Sequence, residues 1–143
     1  MSPGQPDVAV VRRHLLALDE AVQRLRRHAG KPLAALVADP DTLWTVERGL
    51  QLCAQNALDI ATHLTASAGR DAPDYATAVD RLCELGVLPD TFVRRFRGIA
   101  GFRNVLVNGY LGVDLERVHT LLNSGLDDFL AFAQHVESYL SHR

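Results

Sequence analysis

Apolar residues recur at spacings of three and four along most of the chain, which is the period of one helical face. The first stripe is Val8, Val11, Leu15, Leu18, Val22 and Leu25. Pro6 and Asp7 precede it and suit a helix start, with proline at the first helical position and an acid at the positive end of the helix dipole. Gly30 ends this helix, and residues 1–5 read as a flexible tail. A short turn or helical piece follows over residues 32–38. Asp39-Pro40 is a second start signal, cap followed by first residue. The next stripe, Leu43, Val46, Leu50, Cys53, Ala57, Ile60 and Leu64, alternates threes and fours throughout and ends near Gly69. So regular a seam suits a bundle core or a pairing across a dimer, with the internal core the commoner use.

Asp71-Ala72-Pro73-Asp74 caps a third, shorter helix. Its apolar face is Tyr75, Ala78, Val79, Leu82 and Leu85, and Gly86 stops it. Leu88-Pro89-Asp90 leads into a fourth, on which Phe92, Phe96, Ile99, Arg103, Leu106 and Tyr110 share one stripe. Arg103 and Tyr110 therefore stand where apolar residues belong. A guanidinium in such a place must be paired, or must line a cleft or an interface. Gly109 and Gly112 break this helix, and the last begins near Asp114-Leu115-Glu116. Its stripe is Leu115, Val118, Leu122, Leu126, Phe129, Ala133, Val136 and Leu140. Gly125 within it is costly for a helix and marks a close helix contact. No segment has the period-two alternation of a strand. The pattern predicts an all-α fold, an up-and-down bundle of four long helices plus a short one.

Composition narrows the class. The 143 residues fit a single domain, 1–143, long enough to bury a core without staples. The net charge of −2 carries no global signature of a nucleic-acid partner, which must be argued from a local patch. Cys53 and Cys83 lack metal or redox spacing and read as reduced thiols, consistent with a cytoplasmic protein. The N-terminus does not resemble a signal peptide, and no apolar run approaches bilayer length. The six histidines are scattered and none pairs at i, i+4 beside a carboxylate, so no metal site is expected. His63 and His119 read as structural or exposed. Nucleophile-elbow, P-loop and dinucleotide-binding patterns are missing, so no cofactor is expected.

One local patch does stand out. Residues 91–113 contain no acid but carry Arg94, Arg95, Arg97 and Arg103, a charge of +4 in an acidic chain. This window is the best candidate for a phosphate-binding surface, with Arg94, Arg95, Arg97 and Asn104 as expected RNA contacts. The competing reading is an exposed arginine face paired with acids on neighbouring helices.

Phe102-Arg103-Asn104-Val105-Leu106-Val107-Asn108-Gly109-Tyr110, followed by Val113-Asp114, resembles the signature of HepT-like HEPN-domain toxins. That signature runs Arg-Asn, an apolar triplet, His-x-Tyr, then Val/Ile-Asp. Val46-Glu47-Arg48-Gly49-Leu50-Gln51 and Leu58-Asp59-Ile60-Ala61-Thr62-His63-Leu64 resemble the family's second helix, and Leu82-Cys83-Glu84-Leu85-Gly86-Val87-Leu88 its third. The resemblance implies a metal-independent endoribonuclease that is the toxin of a toxin–antitoxin pair. It implies a homodimer whose two motif helices share a cleft. It also implies a nucleotidyltransferase (MntA-like) antitoxin as partner, which transfers AMP from ATP onto Tyr110. Arg103 and residue 108 would be the catalytic pair, acting on an RNA phosphate attacked by its neighbouring 2′-hydroxyl. An imidazole at 108 would shuttle the proton, and Arg103 would stabilise the phosphorane charge.

Two departures qualify that picture. Asn108 stands where the family has histidine, and an amide takes no proton at physiological pH. The chain as it stands is therefore expected to be nearly inactive. An engineered, near-isosteric replacement is favoured over natural loss of catalysis, because the surrounding motif is intact. Gln55 replaces a frequent glutamate on the second helix and removes one carboxylate that could orient Arg103. The alternative of another class is a non-catalytic helical module that binds a nucleotidyltransferase partner or RNA.

Overall fold

The computed structural model describes residues 4–109, 112 and 114–142. Among them run α1 (Val8–Arg26), α2 (Leu33–Ala38), α3 (Pro40–Ser67), α4 (Tyr75–Glu84), α5 (Asp90–Phe96), α6 (Ile99–Asn108), α7 (Leu115–Thr120) and α8 (Leu126–Ser141). A π-helical turn, Leu121–Gly125, joins α7 to α8. The fold is all-α, with no strand among the described residues. No described helix is long and apolar enough to cross a membrane.

The helix starts follow from the caps. Asp7 accepts from the Val10 amide at 3.3 Å, Asp39 from the Thr42 amide at 3.2 Å, and Asp74 from the Thr77 amide at 2.7 Å. Each bond satisfies a donor that the first turn leaves unpaired. The Thr42 hydroxyl, then its amide, holds the Asp39 carboxyl below its ordinary range, and the Thr77 amide does the same for Asp74.

α3 is the axis, packed by α1, α4 and α6 and touched by α2 and α8. The predicted seam is its inner face: Val46, Leu50, Cys53, Ala57, Ile60 and Leu64 are buried, and Leu43 packs against them from the edge. Burial pushes the Cys53 thiol up to about 12, so it is an inert core group. Gly49 lets α1 approach closely, since a Cβ there would fall 2.5 Å from Leu25 Cδ2.

Two predicted helices differ in detail. The fourth is two helices, α5 and α6, with a turn at Arg97 and Gly98. Gly98 is a weak helix former, and its carbonyl accepts from Arg117 Nη2 at 3.2 Å, so the turn has a partner outside the helix. The last helix widens into the π turn. There the crowding at Gly125 comes from Leu121 of the same segment, whose Cδ2 would lie 2.7 Å from an added Cβ, and not from a neighbouring helix. Beyond it Phe132, not Ala133, takes the fully buried position. The reason is aromatic packing: Phe132 stacks on Phe96 with centroids 5.1 Å apart, and Phe96 also stacks on Phe92 and meets Phe129 edge-on. This cluster bolts α5 to α8.

Candidate active site

α6 has the motif, and its inward arc follows from the helical period. Ile99, Ala100 and Phe102 are buried, and Leu106 packs on the core from its margin. Arg103 falls between Ile99 and Leu106 on this arc and is half-buried. Its Nε donates to Gln55 Oε1 on α3 at 2.7 Å, and its Nη1 donates to Asn104 Oδ1 at 3.1 Å. The guanidinium carbon lies 5.3 Å from the centroid of the Tyr75 ring, at the start of α4. These partners are all neutral. The other guanidinium N–H groups have no protein acceptor among the described residues.

Gln55 therefore does what a carboxylate was expected to do. Its oxygen accepts from Arg103 while its nitrogen donates to Asp59 Oδ1 at 2.8 Å and to the Tyr75 hydroxyl at 3.4 Å. A glutamate in that place could not donate, and it would face Asp59 with like charge. An amide can fix both neighbours at once and leave the arginine's charge unneutralised. Asp59 and Tyr75 are site residues that periodicity alone did not point to. The available signal was the i, i+4 pair of Gln55 and Asp59 on the outer side of α3.

A cleft of about 500 Å³ is lined by Thr62, Asp74, Tyr75, Gly101 and Asn104 among others; Arg103 is outside its lining and adjoins it through Tyr75 and Asn104. Gly101 keeps it open, with nothing within 4 Å of where a Cβ would stand. Asn108 is the last residue of α6 and is exposed. It sits at the negative end of the helix dipole, a place that favours a cation. Val105 and Val107 beside it are 45% and 40% exposed. Tyr110 lies outside the described residues.

The three arginines of the α5 region stand apart from this arrangement. Arg94 pairs with Asp90 at 2.9 Å within α5. Arg95 reaches Asp128 on α8 at 3.1 Å and lies over the Phe92 ring. Arg97 makes a two-pronged contact with Asp80 on α4, at 2.9 and 3.1 Å, and the bonds to Asp80 raise its pKa further. The acid-free window is acid-free only in sequence. In space each of these arginines has a carboxylate, which is the competing reading of that patch.

The histidines have other tasks. His63 Nε2 accepts from the Asp7 amide at 2.9 Å, and His119 Nε2 bonds the Lys31 carbonyl at 2.9 Å. Among the described residues, no three His, Cys, Asp or Glu side chains are grouped to hold a metal ion.

Comparison with known proteins adds to this geometry. The sequence pattern of the family described as "Ribonuclease HepT-like" matches residues 18–136. Among curated proteins, none matches by sequence. Several solved structures share the fold. A tri-AMPylated HEPN toxin of Shewanella oneidensis in complex with an MNT antitoxin superposes with a TM-score of 0.80, at 18% identity, over 90% of this chain and 97% of its own. A toxin–antitoxin structure with AMP-PNP gives 0.81, at 18% identity, over 91% and 98%. YutE of Bacillus subtilis, a cytosolic protein of unknown function, gives 0.80, at 17% identity, over 95% and 92%. At these identities the structural likenesses establish the fold alone.

Proposed function

The chain belongs to the HepT-like ribonuclease family, and on that premise we propose that it is the RNA-cleaving toxin of a toxin–antitoxin pair. The observation that carries this reading is Arg103, half-buried and oriented by neutral groups, with N–H donors that meet no acceptor among the described residues, next to a cleft lined by its partners Tyr75 and Asn104. A cation held in that way is organised for a phosphate and is not cancelled by the protein. In the reaction, the 2′-oxygen of RNA attacks the adjacent phosphorus and the 5′-oxygen leaves. A base at position 108 takes the 2′-hydroxyl proton, the leaving oxygen gains one, and Arg103 stabilises the charge on the phosphorane. Asn104 holds the Nη1 edge of Arg103 and takes part in RNA contact.

Asn108 cannot perform the proton transfer, so this chain is nearly inactive. Restoring the imidazole by Asn108→His tests the reading directly. Cleavage of RNA and growth arrest are expected; a folded Asn108→His protein that does neither would falsify it. Two further parts of the reading concern partners. Val105 and Val107, both exposed next to the motif though on different faces of α6, leave apolar surface there that a second copy could cover, consistent with a homodimer with a shared cleft. The antitoxin is a nucleotidyltransferase that neutralises the toxin by attaching AMP to Tyr110. The phenol oxygen attacks the α-phosphorus of ATP, the phenol proton is lost and pyrophosphate leaves. The bulk and phosphodiester charge would then occupy the ground of the substrate phosphate. The Shewanella neighbour is itself named as tri-AMPylated and bound to an antitoxin, which supports this mode of control. Intact mass after co-expression with the antitoxin should rise by one or more AMP groups, and Tyr110→Phe should abolish the gain.

Asn108 itself favours a second reading, a non-catalytic module that binds the nucleotidyltransferase or RNA. An asparagine codon at position 108 in the native gene supports that reading, and a histidine codon supports the ribonuclease.

A further inference from the structure

A second basic surface lies nearer the start of α3, outside the acid-free window. A cleft of about 520 Å³ opens between α1 and α3. Its walls include Arg24, Arg27 and His28 from the end of α1, and Trp44, Arg48 and Leu52 from α3. No Asp or Glu is among its lining residues. Trp44 is the one tryptophan of the chain and is 75% exposed, with Leu52 also at the surface. A large indole left in water is unusual, and at the rim of a cationic cleft it offers a stacking face.

The charge here is available to a ligand. Arg24 has only an exposed, long contact with Glu20 at 3.3 Å. Among the described residues, no carboxylate lies within 4.0 Å of Arg27 or Arg48, in contrast to Arg94, Arg95 and Arg97. His28 Nδ1 lies 3.1 Å from the Lys31 ammonium. Its pKa is lowered by burial first, and then by the charges of Lys31 and Arg27, against a smaller opposing pull from Asp39. The histidine thus senses a net positive field.

Position along α3 links this cleft to the active site. At about 100° per residue, Trp44, Arg48, Leu52, Gln55 and Asp59 fall within about 80° of one another. Trp44 and Gln55 are separated by about 16 Å along the axis at ~1.5 Å per residue. A strand with one phosphate at Arg103, beside Gln55, would reach Trp44 within a few nucleotides.

We propose that the α1/α3 cleft binds single-stranded RNA, with a base stacked on Trp44 and flanking phosphates held by Arg27 and Arg48. The site is a positioning surface for the substrate and rests on the ribonuclease reading above. Unpaired cations with an exposed aromatic face are the elements by which proteins track single strands without reading sequence. A second copy of this chain fits less well, because a symmetric contact would press Arg27 and Arg48 against like charges.

The chain as it stands suits the test, since with Asn108 it should bind RNA without cutting it. An end-labelled oligoadenylate of about a dozen nucleotides is titrated while Trp44 fluorescence and label anisotropy are read together. Quenching that tracks binding is expected, with Kd rising steeply with salt. Arg48→Glu and Arg27→Glu should each weaken binding at least about tenfold, and Trp44→Ala about tenfold with partial rescue by Trp44→Phe. In the Asn108→His background, Arg48→Glu should raise KM for long RNA more than it lowers kcat.

Binding that neither quenches Trp44 nor weakens in Arg48→Glu overturns the proposal. So does loss of the dimer in Arg48→Glu by sedimentation, which would make the cleft a face for a second copy. Loss of antitoxin binding with RNA affinity intact would assign it to the protein partner and overturn the proposal equally. The two readings fail separately. Quenching by RNA with no cleavage from Asn108→His keeps the cleft and removes the ribonuclease. Cleavage indifferent to Arg48 and Trp44 does the reverse.

Discussion

Three arginines and a fourth a few residues further along the sequence meet opposite fates. Arg94, Arg95 and Arg97 each turn to a carboxylate, on α5, α8 and α4 respectively. Arg103 turns to a glutamine, an asparagine and a phenol ring. The first group is exposed, and its pairs are screened surface contacts worth little in stability. Arg103 is half-buried and oriented, with no carboxylate partner among the described residues. A run of positive residues in a sequence therefore measures nothing until the acids of the neighbouring helices are placed. The partner's chemistry separates an arginine that is paired with a carboxylate from one whose partners among the described residues are all neutral.

The comparison can be broken by mutation, and the largest effect should come from α6. Asn108→His should raise RNA cleavage by ~10²–10⁴-fold, measured with a labelled transcript, because it restores a general acid–base group. On the α5 side the large effect should be on stability. Phe96→Ala should cost ~3–5 kcal/mol in chemical denaturation, since it empties the aromatic cluster that ties α5 to α8. In the Asn108→His background, Arg103→Ala should lose about 10²–10³-fold in kcat with unchanged thermal stability. Arg97→Ala in the same assay should change cleavage less than ~3-fold, since only a rim charge is lost; a loss comparable to that of Arg103→Ala would erase the distinction between Arg103 and the other three.

Smaller effects sharpen it. Gln55→Ala should lower kcat/KM by about tenfold while the fold persists, because Arg103 loses its brace and must be ordered by the substrate. Smallest of all, Arg94→Ala should shift unfolding by no more than ~0.5 kcal/mol, as expected of an exposed i, i+4 pair.

Much of the scaffold was legible without coordinates. The α3 seam from Val46 to Leu64 is buried as its spacing required, and Asp39 and Asp74 cap the helices they precede. Asp7 is the cap of α1, whereas Pro6 lies outside that helix and not at its first position. The inward placement of Arg103 also followed from its position between Ile99 and Leu106. At Gly125 the reading slipped for a local reason, Leu121 four residues before it, and at two other places the cause was non-local. Gly98 breaks the fourth helix with Arg117 as a partner from another element, and Phe132 displaces Ala133 because Phe96 is there to stack on. Gln55 looked like a missing carboxylate and is instead the residue that fixes Arg103.

By itself, then, the sequence determined the helices, their caps, their inner faces and the odd arginine on one of them. These depend on neighbours three and four residues away, which the chain always supplies. Only the tertiary structure decided which arginines meet a carboxylate, which is braced by amides, and that Trp44 and Arg48 on α3 face Arg27 across a cleft. Those outcomes depend on side chains brought together from distant helices, where a carboxylate or an amide within reach sets whether a charge is spent inside the protein or left for a ligand.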